Sequence, residues 1–107
     1  MDLHRLAEQR SLAYHRIVAD RLIADPGLLT RARARVADWM TTEPQADYVR
    51  AWADLLSRPL PEITRFLVDD GERARELRQS TPFAGALDAR ERWKLWREVA
   101  ERFRGAA

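Results

Sequence analysis

LAYHRIVADRLIADPGLLTRARARVADWM, from Leu12 to Met40, decides the fold. Apolar residues recur at helical spacing on both sides of Asp25-Pro26-Gly27. Aspartate is a preferred N-cap, and proline at the first helical position gives up an N–H that has no intrahelical partner anyway. One helix therefore ends at this point and a second begins with almost no connection. Upstream, Leu3, Leu6, Ala13, Ile17 and Ala24 make a stripe, with Tyr14 beside it and Leu12, Val18, Leu22 and Ile23 widening it. That predicts a first helix from about Asp2 to Ala24. The second should run from about Pro26 to Met40 and bury Leu29, Ala32, Val36 and either Trp39 or Met40.

Downstream, Thr42-Glu43-Pro44-Gln45 reads as a capping box opening a third helix that reaches about Ser57. Tyr48, Trp52, Leu55 and Leu56 share one of its faces. Pro59 and Pro61 break the chain, and Pro61 can open a short fourth helix carrying Ile63, Phe66 and Leu67. Asp69-Asp70-Gly71 reads as turn and capping chemistry. A fifth helix, about Gly71 to Gln79, has only Ala74 and Leu77 on an apolar side. Ser80 to Gly85 is a loop, and Asp88 with Glu91 makes a second capping box. The last helix, about Ala89 to Arg104, carries a stripe of Trp93, Trp96, Ala100 and Phe103, and Gly105 ends it. Trp52 and Trp93 are expected in the core, while Trp39 and Trp96 are open between core and interface.

Strand signals are missing: there is no sustained period-two alternation. The 107 residues suit a single all-α domain, 1–107, a compact bundle of five or six helices. Such a chain should have a radius of gyration near ~13 Å. Cysteine is absent, which rules out disulfides, thiolate metal sites and a cysteine nucleophile. No apolar run approaches the ~20 residues of a membrane span. The charged start, MDLHRLAEQR, lacks the apolar stretch of a signal peptide, so a cytoplasmic chain is expected.

Of the 19 basic residues only Lys94 is lysine. Arginine spread along the whole chain fits a GC-rich bacterial genome better than selection for forked phosphate contacts. Residues 1–40 and 72–107 are basic on balance and residues 41–71 acidic.

Chemistry-bearing patterns are thin. Arg10 and His15 have the R-x4-H spacing of a family of helical ribonucleases, but five residues place them about 140° apart on a helix. His4 and His15, ~16 Å apart along the helix, are too distant to share a metal and are read as solvent-facing. There is no Glu-x-x-His motif, glycine-rich phosphate loop or serine elbow. The sequence implies no catalytic residues, no metal and no cofactor. Arg31, Arg33 and Arg35 form the densest basic cluster. They would be the contacts of a small DNA-binding regulator using the second helix, with Asp25-Pro26-Gly27 as its turn.

The segment LRQSTPFAG, Leu77 to Gly85, is the most distinctive. A loop phenylalanine such as Phe83 either plugs its own core or anchors a partner. Arg75, Arg78, Pro82 and Phe83 together have the composition of an interface hot spot. The stretch from Tyr48 to Arg92, with the Trp93 that follows it, carries the elements W-x2-LL, LRQSTPFAG and R-x-R-W. In these it resembles small bacterial proteins of toxin–antitoxin loci, and the C-terminal parts of helix-turn-helix regulators paired with nucleotidyltransferase-like toxins. The resemblance implies a non-enzymatic, antitoxin-like interaction module that binds and blocks a partner protein such as a cognate toxin.

Overall fold

The computed structural model describes residues 2–105. They form six helices and, among the described residues, no strand: α1 (Leu3–Ala24), α2 (Pro26–Thr42), α3 (Asp47–Leu56), α4 (Leu60–Leu67), α5 (Glu72–Arg78) and α6 (Ala89–Gly105). The all-α, single-bundle reading is correct.

Local chemistry explains most boundaries. Asp2 caps α1 through the Arg5 N–H, and Asp25 both ends α1 and caps α2 through the Gly27 N–H at 3.1 Å. The second capping box forms as expected. Asp88 accepts from the Glu91 N–H at 2.8 Å, and Glu91 accepts from the Asp88 N–H at 3.1 Å.

The first capping box does not form. α2 runs on through Thr42, because the Thr41 and Thr42 hydroxyls donate back to the carbonyls of Asp38 and Trp39. With Thr42 spent inside α2, α3 starts at Asp47 behind Ala46, which gives no side-chain cap.

α1 is the spine, packed against α2, α4, α5 and α6, while α2 closes on α3 and α3, α4 and α5 pack together. The core gathers Val18, Leu22, Trp52, Ile63 and Leu67, all essentially without solvent contact. Trp52 meets Phe66 and Phe83 edge to face at 6.2 and 6.3 Å between centroids. The radius of gyration is 14.2 Å and the extents are 42 × 29 × 24 Å. A 22-residue spine about 33 Å long stretches the bundle past the compact expectation.

Several apolar assignments change. Leu3 and Ile23 are exposed and Ala24 lies open at the end of α1, so the buried face is carried by Leu6, Leu12, Tyr14, Val18 and Leu22. On α2, Leu28 is buried and Leu29 only half-buried. Trp39 is half-buried against Tyr48, and Met40 faces water.

Candidate functional site

The 79–88 loop, which holds the predicted partner anchor, is fastened inward by α1 and α2. Tyr14 donates to the Phe83 carbonyl at 2.7 Å and accepts from the Leu87 N–H at 3.4 Å. His15 lies one residue further along α1. Its Nδ1 faces the Ser11 carbonyl at 2.7 Å, which requires the proton on Nδ1 and leaves Nε2 to accept from the Thr81 hydroxyl at 2.8 Å. Thr81 Oγ1 in turn accepts from the Phe83 N–H at 3.1 Å. From α2, Arg35 donates to the carbonyls of Pro82 and Ala84 at 3.0 and 2.7 Å.

These bonds hold Phe83 in the core, 2% exposed, with Pro82 also buried. The expected hot spot is therefore not a surface. Phe83 is the core plug, and Arg78, 4% exposed, donates to the carbonyls of Asp69 and Leu67 at 2.6 and 3.4 Å. Of the four residues only Arg75 faces water, paired with Asp70 at 3.1 Å. Sequence spacing could not show this, because the groups that tie the loop down lie 66 and 69 residues away in the chain.

His15 is likewise buried and not solvent-facing. Burial, only partly offset by the Ser11 hydrogen bond and reinforced by the nearby Arg78 cation, lowers its pKa to about 4. Arg10 turns to α6, donating to the Trp96 carbonyl at 3.3 Å. The R-x4-H pair thus serves packing on two neighbours. His4 is exposed and pairs with Glu8 at 3.1 Å.

The α2 arginines do not converge. Arg33 donates to the Leu56 carbonyl at 2.9 Å on the α3 side, Arg35 reaches the loop on the other flank, and Arg31 stands 3.9 Å from Asp25.

A large apolar side chain is exposed on α6. This helix lies antiparallel along α1. Arg21 pairs with Glu91 at one end, and the Arg5 guanidinium sits 5.9 Å from the Phe103 ring at the other. Leu95 and Val99 are its buried residues, with Trp96, Ala100 and Phe103 half-buried beside them. α1 is the only helix of the described chain that packs on α6, so the buried arc is narrow. Trp93, expected in the core, falls outside that arc and is 63% exposed.

At 100° per residue, Arg90, Trp93, Lys94, Arg97, Glu101 and Arg104 share one outward arc of about 100°. All six are exposed. None of the four basic residues reaches a carboxylate within ion-pair distance among the described residues. The arc is a large aromatic ring ringed by unpaired cations, with one acid.

No family model matches the chain, and no curated protein or solved structure does.

Proposed function

We propose that this protein is a non-enzymatic interaction module, an antitoxin-like regulator of the bacterial cytoplasm that binds and blocks an acidic-faced partner protein through the outer face of α6. The observation that carries the reading is Trp93, exposed among Arg90, Lys94 and Arg97. Tryptophan and arginine are the residue types most enriched at binding hot spots, and a ring of this size can bury 150–250 Å² on docking. Four cations without an ion pair among the described residues, against one acid, favour a partner of opposite charge and speed its encounter.

The reading is supported by the composition, exposure and charge of the α6 outer face. It is tested by co-expression with the product of the neighbouring reading frame in a host whose growth that product arrests. The native chain should restore growth, and Trp93→Ala expressed to the same level should not. Equal rescue by both would move the contact off α6, and no rescue by the native chain would end the antitoxin reading.

The DNA-binding alternative loses its geometric support, since Arg33 and Arg35 spend donors on main-chain carbonyls on opposite flanks of α2.

A further inference from the structure

A groove separate from the outer face of α6 opens between α1, α6 and the 79–88 loop, with a volume of about 480 Å³. That lies within the ~300–1,000 Å³ usual for small-molecule sites. Its walls bring together Arg10, Arg78 and Arg92, the hydroxyl-bearing Ser11 and Thr81, and the Trp96 ring. Among the described residues no acidic side chain lines it.

The state of the three cations is the unusual feature. Arg78 is 4% exposed and has no carboxylate at ion-pair distance among the described residues. Its hydrogen bonds among the described residues run from Nη1 to two main-chain carbonyls, and its other nitrogens, without a protein acceptor there, keep contact with solvent. The acids whose field reaches it are engaged elsewhere: Asp70 pairs with Arg75, Asp69 accepts from the Gly71 N–H at 3.0 Å, and Glu8 pairs with His4. The cost of burying this cation exceeds what those acids return, and its pKa is lowered, with desolvation the largest cause. Arg10 has its Nε buried with no hydrogen-bond partner, while its guanidinium lies 6.0 Å from the Trp96 ring centroid. Arg92, exposed on α6, completes the set and makes no ion pair among the described residues.

Buried charges in folded proteins are paired or hydrogen-bonded, because a lone one costs several kcal/mol. Of the three only Arg78 is buried, and the groove sets all three guanidinium groups together with no carboxylate on its lining among the described residues. We propose that it binds a phosphate monoester carried on an apolar or aromatic body, with the phosphate taken by Arg78, Arg10 and Arg92 and the body laid against Trp96. A phosphate monoester brings about −1.5 to −2 charge at neutral pH and three acceptor oxygens. Arginine forks match those oxygens bidentately, and a single carboxylate would leave most of the positive charge uncompensated.

The test is calorimetric titration of the native chain at low salt with phenyl phosphate and adenosine monophosphate, beside phenol, adenosine and benzoate. At least one phosphate monoester should bind at least tenfold more tightly than its unphosphorylated body and than benzoate, and the affinity should weaken as salt rises. Arg92→Ala, whose side chain is exposed, should keep the melting temperature and lose at least tenfold in that affinity. Arg10→Ala should lose affinity as well. Trp93→Ala should bind the phosphate as the native chain does, which separates this site from the α6 docking face. No binding of either phosphate at millimolar concentration, equal binding of benzoate, or affinity unchanged in Arg92→Ala would overturn the assignment.

Discussion

The hydroxyl of Tyr14 donates to the carbonyl of Phe83 at 2.7 Å, across 69 residues of chain. With the Thr81 hydroxyl on the Phe83 N–H, it satisfies both main-chain polar groups of the residue that plugs the core. A loop without regular structure can be buried only if such groups find partners. Here adjacent side chains on one helix, Tyr14 and His15, serve both ends of the same residue, His15 through Thr81.

Phe83→Ala should therefore destabilise the fold by about 3–5 kcal/mol, the usual loss for a buried phenylalanine. Chemical denaturation of the variant measures it. Tyr14→Phe keeps the ring but leaves the Phe83 carbonyl unpaired, and should cost about 1–3 kcal/mol.

Stability should fall with acid through His15. Its pKa in the folded chain, about 4, lies below the ordinary ~6.5 of an unfolded histidine, so the unfolded state binds the proton first. The contribution is complete above about pH 6.5 and is lost as pH drops toward 4, to the extent of about 3 kcal/mol. The carboxyls of Asp47 and Glu91 are also held low, first by hydrogen bonds from Arg73 and Arg21, and they act only below the ordinary carboxylate range near ~4. Urea midpoints at pH 7 and pH 4.5 should differ clearly for the native chain and much less for His15→Gln.

Gly85 has φ +87°, in the left-handed region, with open space where a side chain would stand. Gly85→Ala should cost about 1 kcal/mol from backbone strain alone, with no clash to relieve. A melting temperature lowered by about 4–8 °C would register that loss in a domain of this size.

Asp88→Ala removes half of the α6 capping box and should cost about 1 kcal/mol, with α6 fraying from its first turn. Amide exchange at residues 89–92 reads it directly. The same box was legible in the sequence because a cap and its partner lie three residues apart. The box expected at Thr42 was not, because the threonine had a competing acceptor one turn back on α2.

The same contrast separates the rest. Helix order and most boundaries follow from proline, glycine and aspartate acting locally. Trp52 is central because three apolar residues share its face, and its indole N–H finds the Leu77 carbonyl at 3.2 Å. Trp93 sits on an aromatic stripe at the same spacing, yet only packing decides which edge of that stripe meets α1. Leu95 and Val99 took the contact and left Trp93 in water. His15 looked like a surface residue for a related reason: its hydroxyl partner, Thr81, is 66 residues away.

Trp93 is the proposed anchor for a protein partner on the outer face of α6. Titration of the purified product of the neighbouring reading frame into native chain and Trp93→Ala, each first checked by a thermal melt, tests it most directly. Trp93→Ala should change stability by no more than about 0.5 kcal/mol, as for a surface substitution, and lower the affinity by about 30-fold or more, the ~2 kcal/mol of a hot spot. An unchanged affinity in Trp93→Ala would contradict it.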